Sequence, residues 1–461
     1  MKKIFSILAV VIATVTLSES ASAQLRSSYF MHNSNQRYEM NAALSPMRGY
    51  LALPAIGGFY TSLETNFLSA DNFFYPNGEG NGVVTYMHKS VSAEEFLNRL
   101  PDVNSLAFDN NIQLFGMGNY FKGGFWSFGI RLRSESNIDV PKDFFAITKT
   151  LSHGTYDIGG MGFESSNFVE ASLGYTFPVQ DAFTLGFRAK VLLGLARVTS
   201  KINTLDVEIG EESYRADMAG TFHATVNGYN FEDIKGNLTV DSFIDHLTNF
   251  ENFNTSNIKS VGVAFDAGIE WTFKDEQIRF SAAVNDLGFN SWHTNSTLCA
   301  TIDNVAFAFE GYDFENNEVK FESPDNIVMQ TTQETVEDKV ALHTSYIVGC
   351  EYSFANDIVS VGVLWNNKHY ENRKWNSIGG SVTLRPTRWL TASASYSLVN
   401  SVGLAGFALN LHPEMVNFFM GVDYIATKYG TANGGAIPIP LNQSSVNLSF
   451  GLTIPLGVRM F

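Results

Sequence analysis

From Val261 to Phe273 the odd positions are Val261, Val263, Phe265, Ala267, Ile269, Trp271 and Phe273, and the even ones are Gly262, Ala264, Asp266, Gly268, Glu270 and Thr272. A period of two is the mark of a strand whose faces meet different surroundings. The split recurs at Phe183, Leu185, Phe187, Ala189, Val191, Leu193 and Leu195 against Thr184, Gly186, Arg188, Lys190 and Gly194, with Leu192 as the exception. It returns at Val446, Leu448, Phe450, Leu452 and Ile454 against Asn447, Ser449, Gly451 and Thr453. Strands in soluble sandwiches average ~5 to 6 residues, whereas a strand crossing a bilayer needs ~9 to 11. The polar faces here are rich in Gly and Ser with charges of both signs, which suits a lumen. The apolar faces carry aromatics near their ends, where an interfacial girdle sits. The pattern predicts a membrane barrel rather than a sandwich.

Such segments fall near 57–69, 110–121, 124–137, 165–177, 182–197, 259–273, 277–288, 343–354, 358–368, 374–386, 389–399, 402–411, 416–427 and 442–455. The expected fold is therefore all-β, a transmembrane antiparallel up-and-down β-barrel of about fourteen strands. Connections at Lys122-Gly123, Pro178 to Asp181, Lys274 to Gln277, Ala355 to Asp357, Thr387-Arg388 and His412 to Met415 are short, while 70–109, 138–164, 198–258 and 289–342 are long. Short turns thus gather on a periplasmic rim and long loops on an extracellular one. Two loops carry helix signatures: Ser92-Ala93-Glu94-Glu95 reads as a capping box before Phe96 and Leu97, and Ser242 precedes Phe243, Ile244 and Leu247 at helical spacing. These short helices form either a hydrophobic mouth that collects an apolar ligand or a packed loop cap. Residues 24–56 show no alternation, as expected of a plug or hatch folded into the lumen.

The start of the chain changes the compartment. Lys2 and Lys3 precede an apolar run from Ile4 to Leu17, and Ala21-Ser22-Ala23 offers small residues for cleavage, so residues 1–23 read as a signal peptide and Gln24 as the mature N-terminus. The expected organisation is a signal peptide at 1–23, a hatch segment at 24–56 and a barrel at 57–461, exported to a cell outer membrane. Losing Lys2, Lys3 and Glu19 takes the balance from 30 basic and 46 acidic residues to 28 and 45, a net charge of −17. No Lys/Arg run appears, so nucleic acid is not an expected partner. Outer-membrane lipid is. Past the signal no apolar stretch approaches the ~18 residues of a transmembrane helix, yet 13% of the chain is aromatic.

Candidate chemistry adds little to this picture. There is no Gly-x-Ser-x-Gly elbow, no His-Glu-x-x-His pair and no phosphate-cradling glycine loop, so no catalytic residue, metal ligand or cofactor site is expected. The 9 histidines are scattered singly and read as solvated or loop-packing groups. The lumen-facing charges expected from register are Arg131, Arg133, Glu170, Arg188, Lys190, Asp266, Glu270, Arg279, Glu351, Arg385 and Asp423. Their mixed signs suit ion pairing across a filled lumen better than an anion-selecting constriction. Arg188 and Lys190 share one strand face, where they would also suit a carboxylate head group. Register places Cys350 with Tyr346, Val348, Tyr352 and Phe354 on the lipid side, which disfavours a disulfide to Cys299.

The stretch Arg37-Tyr38-Glu39-Met40-Asn41-Ala42-Ala43-Leu44-Ser45-Pro46, followed by Arg48-Gly49-Tyr50 and Leu53-Pro54, resembles the start of a family of uncharacterised Gram-negative outer-membrane barrels, distantly similar to the FadL type of long-chain fatty-acid transporter. Where that type carries an Asn-Pro-Ala element, this chain has Asn41-Ala42-Ala43. The resemblance implies fourteen strands, an N-terminal hatch and a hydrophobic ligand, and it carries over no binding residues. The terminal Phe461 is similar to the signal read by the barrel-assembly machinery, although Arg459 stands where an apolar residue would alternate with it. Two functions remain open. One is passive uptake or binding of a hydrophobic small molecule by a monomeric barrel; the other is a non-transporting accessory barrel of a secretion or surface-assembly complex.

Overall fold

The computed structural model of the chain describes residues 26–457 apart from 78–81, 151–153, 181, 210–213, 232–236, 239–244, 247, 274–276, 293–296, 314–317, 323–328, 333–337, 370–373, 401, 433–436 and 442–444. Fourteen strands make the wall. β1 has two pieces, Gly49–Ala52 and Phe59–Thr65. Next come β2 Val103–Phe121, β3 Gly124–Pro141, β4 Gly162–Gln180 and β5 Phe183–Ile209. They are followed by β6 Val261–Phe273, β7 Ile278–Trp292, β8 Ser345–Phe354, β9 Val359–His369 and β10 Lys374–Thr387. β11 Leu390–Val399, β12 Val402–Leu411, β13 Asn417–Ala426 and β14 Val446–Leu456 complete the series. Each pairs antiparallel with its chain neighbours, and β14 returns to β1 through Gly49↔Leu456 and Phe59↔Phe450, so the sheet closes. Closure leaves the sheet no open edge, which is what a bilayer demands.

The period-two pattern becomes the two faces of this wall. Along β6, Val261, Val263, Phe265, Ile269 and Trp271 are exposed on the outside while Gly262, Ala264, Asp266 and Gly268 are buried inside. Phe187, Val191 and Leu193 on β5 and Tyr346, Val348 and Tyr352 on β8 continue the outer belt, with part-exposed Cys350 among them as a free thiol. A belt this extensive far exceeds the apolar patch a soluble monomer exposes, and is the surface that acyl chains cover. Lys122 and Gly123, both at positive φ, close the β2–β3 hairpin in two residues, the tight turn whose twist matches its strands.

Three differences from the expected layout are structural. β1 enters the wall at Gly49 rather than at residue 57, because the alternation that marks it is broken at residues 53–58. β5 runs 27 residues, beyond the expected end at 197. Above Val261↔Leu193 its partner changes from β6 to Tyr214–Val226, which in turn pairs with Thr297–Asp313. The long loops after β5 and β7 therefore build a raised sheet outside the membrane as well as loops. Ser92 caps the helix Ala93–Leu97 by accepting from the Glu95 amide at 3.0 Å. The helix expected after Ser242 falls mainly outside the described residues. Phe96 joins Phe67, Tyr75, Val91, Leu100 and Phe145 in a packed aromatic core beneath the outer cap.

Candidate functional site

Residues 26–48 thread the lumen as a hatch whose only longer helix is Gln36–Met40. Tyr29, Phe30, Met31, Tyr38, Met40, Ala42 and Leu44 are all buried, most against the inner wall. The wall is carved to receive them. A Cβ at Gly186 would overlap the Ala42 carbonyl, one at Gly268 would overlap the Asn41 amide, and one at Gly362 would enter the Phe30 ring. The Asn41-Ala42-Ala43 element is the tightest point. Asn41 Oδ1 accepts from Ala43 N at 2.9 Å, Asn41 Nδ2 donates to Tyr29 Oη at 3.1 Å, and Thr176 Oγ1 donates to the Ala42 carbonyl at 2.5 Å. Asn285 Nδ2 donates to the Met40 carbonyl at 2.8 Å, and Tyr38 Oη meets Ser127 Oγ at 2.9 Å.

Charges lock this seat in two groups. In the first, Arg133 donates to Glu170 at 2.6 Å and to both oxygens of Asp286 at 2.8 and 3.1 Å. Lys190 lies 2.7 Å from both Asp266 and Asp286, and Arg188 lies 3.0 Å from Asp266 while donating to the Tyr38 carbonyl at 2.8 Å. Glu39 of the hatch pairs with Arg131 and, at 3.3 Å, with Arg188. In the second group Glu351 holds His32 at 2.8 Å and Arg385 at 3.0 Å, Arg385 donates to the Phe30 carbonyl at 2.7 Å, and Arg37 reaches Glu270 at 3.3 Å. Arg279 stands 3.8 Å from Glu351. Burial pushes the His32 imidazole down to about 3 against the pull of Glu351, so a neutral ring serves that bond. Apart from both groups, Asp423 accepts from the Ser27 amide at 3.2 Å.

All eleven charges read from register therefore lie inside the barrel: Arg131, Arg133, Glu170, Arg188, Lys190 and Asp266 in the first group, Glu270, Arg279, Glu351 and Arg385 in the second, Asp423 alone. Two sequence-level readings fail. Arg188 and Lys190 are saturated by Asp266, Asp286 and Glu39, which leaves them no free donor pair for a carboxylate. His32 and His343 lie in turns or connections, as expected, but are not solvated; each faces a buried glutamate, His343 at 2.9 Å from Glu135. Asp286 escaped the register count because its φ of 60° inserts an extra residue opposite Asp266 and turns a nominally lipid-facing position inward. A hydrophilic residue at an outward position was the available signal.

Two spaces adjoin the hatch. A lumen cavity of about 70 Å³ is lined by Gln36, Glu39, Gln113, Arg131, Tyr60 and the glycines Gly57 and Gly58. A groove of about 730 Å³ opens at the short-turn rim between Met47, Arg48, Trp389 and Met415. Asn35, Tyr50 and Thr453 border both, and the hydrogen bond from Asn35 Nδ2 to Thr453 Oγ1, 3.0 Å, lies in this septum. Beside the cavity, six residues of β1, 53–58, face only two of β14 between Ala52↔Thr453 and Phe59↔Phe450. The surplus bows outward. Ile56 is 44% exposed, Ala55 takes a φ of 63°, and its amide donates to the Gln113 carbonyl at 2.9 Å while Gln113 donates to Gly58.

A closed wall with an apolar outer belt, a polar interior and an ion-paired hatch defines an outer-membrane type of β-barrel plugged by its own N-terminal segment. The chain belongs to the family of unknown function DUF5723, which its residues 42–423 match. Among solved structures it is similar to the toluene transporter TodX of Pseudomonas putida, at 7% identity and a TM-score of 0.40 over 96% of each chain. It is also similar to a TodX deltaS2S3 mutant described as a monoaromatic hydrocarbon channel, at 8% identity and a TM-score of 0.44 over 92% of this chain and 95% of that one. A FadL homologue of Pseudomonas aeruginosa is matched at 10% identity and a TM-score of 0.32, over 95% and 99%. A comparison with curated proteins gives no match.

Proposed function

We propose that this protein, exported to the outer membrane by a cleaved signal at residues 1–23, is a monomeric barrel that passively takes up small hydrophobic molecules and releases them sideways through the interruption of β1. The observation that carries this reading is the six-against-two mismatch at residues 53–58, which interrupts the β1–β14 ladder beside the lumen cavity, where Leu452 N donates to the Ile56 carbonyl at 2.7 Å. Passage straight down would require an apolar molecule to cross buried Arg, Lys, Asp and Glu side chains and dislodge the hatch. Sideways passage returns it to hydrocarbon, where each Å² of apolar surface removed from water is worth roughly 25 cal/mol. No energy source is needed for that direction.

A second reading, an accessory barrel of a surface-assembly complex, is favoured by one specific observation. The aromatic core of the outer cap is filled, with the rings of Phe67, Phe73 and Phe96 each within 5.6 to 6.3 Å of Phe145. Mass spectrometry of apolar compounds that co-purify from native membranes, against an unrelated barrel handled identically, separates the two. Stoichiometric enrichment of one compound class supports uptake. A co-purifying protein with no enriched compound supports the accessory role.

A further inference from the structure

High in the lumen, beside the ion-paired seat, a pocket of about 20 Å³ lies between β3, β4 and β7. Its apolar side is Phe168 and Leu342, which pack with Leu192 and Ala264. Its polar side is unusual. Asn290 is 2% exposed and Trp292 1%, yet neither atom of the Asn290 amide nor Trp292 Nε1 has a hydrogen-bond partner among the described residues. The Asn137 carbonyl oxygen, which also borders the pocket, is equally sealed and unpartnered. The indole is held there on purpose of fit, since a Cβ at Gly194 would sit 2.6 Å from Trp292 Cζ3. Leaving a buried polar group unmatched costs about 1 to 3 kcal/mol, and these side chains bring two donors' worth of chemistry and two acceptor oxygens to one small space.

The volume fits one hydroxyl and the carbon that bears it, since a single water occupies roughly 10 to 15 Å³ by this measure. The cations at the rim are already committed to carboxylates. Glu135 and Glu164 both line the pocket, Glu135 held by His343 at 2.9 Å and Arg133 at 3.0 Å, and Glu164 by Arg197 at 2.9 Å. A carboxylate head group would have to compete with Glu135 and Glu164 for those cations, and a pure hydrocarbon would leave Trp292 and Asn290 unmatched.

We propose that this pocket anchors an uncharged apolar ligand carrying one hydroxyl group, such as an alkylphenol or a long-chain alcohol. The hydroxyl oxygen accepts from Trp292 Nε1 and its proton is donated to the Asn290 or Asn137 side-chain oxygen, while the carbon that bears it meets Phe168 and Leu342 and the rest of the apolar body stays outside the pocket. This rests on the uptake reading and narrows its substrate class. The test is equilibrium dialysis of the purified full-length barrel in detergent against 4-butylphenol, butylbenzene and octanoate. The expected result is 4-butylphenol bound about tenfold more tightly than the other two, the discrimination a single well-placed hydrogen bond supplies. In Trp292→Phe and in Asn290→Leu that preference falls to near unity while butylbenzene binding persists. Trp292→Phe removes the unpartnered N–H with little loss of bulk, and a folded Asn290→Leu barrel should melt higher without ligand because it loses an unmatched amide. Equal affinity for the phenol and the hydrocarbon, or a preference unchanged in both variants, overturns the anchor and leaves hydrophobic uptake standing. Binding of none of the three overturns both.

Discussion

Arg133 and Asp286 meet across the lumen as a two-point clamp, with Nη1 to Oδ1 at 2.8 Å and Nη2 to Oδ2 at 3.1 Å, joining β3 to β7. Arg133 is 1% exposed and Asp286 2%. Removing one partner leaves the buried group one charge out of balance, with Asp286 facing Lys190 or Arg133 facing Glu170 and Glu135, at a cost of about 3 to 5 kcal/mol. Arg133→Ala and Asp286→Ala should each lower the unfolding free energy measured in denaturant by about that amount, and the pair Arg133→Met with Asp286→Leu should lose much less. Equal losses in the single and paired variants would show that the clamp is not a unit.

The glycine seat makes a separate prediction. Gly186→Val places methyl groups where the Ala42 carbonyl lies, so the wall should close normally while the hatch loses its slot. Limited proteolysis should then cut within residues 26–48 in the variant and spare them in the parent, with the heat-modifiable gel shift of the barrel unchanged.

Opening the septum should change conductance. Asn35→Gly combined with Thr453→Gly removes the 3.0 Å hydrogen bond between the lumen cavity and the rim groove. Planar-bilayer recordings are expected to show low, noisy conductance in the parent and a distinct, larger conductance in the variant. Identical traces would mean that further layers of the hatch seal the path.

Straightening β1 should separate folding from uptake. Deleting residues 53–56 leaves two residues opposite residues 451–452, the count a regular ladder needs. The barrel should assemble with the same or greater stability, and uptake of an apolar fluorescent probe by whole cells should drop to the level of cells lacking the protein.

The wall was legible in the sequence because lipid on one side and a polar lumen on the other impose strict alternation over long strands, as in Val261–Phe273. The raised sheet escaped for another reason: Tyr214–Val226 alternates too, Tyr214, Ala216, Met218, Phe222, Ala224 and Val226 against Arg215, Asp217, Thr221, His223 and Thr225, but a period of two does not by itself tell a strand above the bilayer from one within it. Bulges hid more. The left-handed backbone at Asp286 and Tyr424 shifts the register by one residue, turning both side chains inward at positions a period of two assigns to lipid. The hatch residues Arg37 and Glu39 were invisible as site residues because their partners Glu270 and Arg131 are more than ninety positions away. The resemblance at Leu53-Pro54 marked the interruption of β1 without revealing that it sits in the wall.

The central claim, that substrate leaves through the wall and not past the hatch, is tested most directly by locking the hatch. With Cys299 and Cys350 replaced by Ser, Asn35→Cys and Thr453→Cys join hatch to wall where their short side chains already meet. Uptake of the apolar probe is then measured oxidised and reduced. Lateral release predicts the same rate in both states; loss of uptake on oxidation, restored by reductant, would contradict it and assign the route to the hatch.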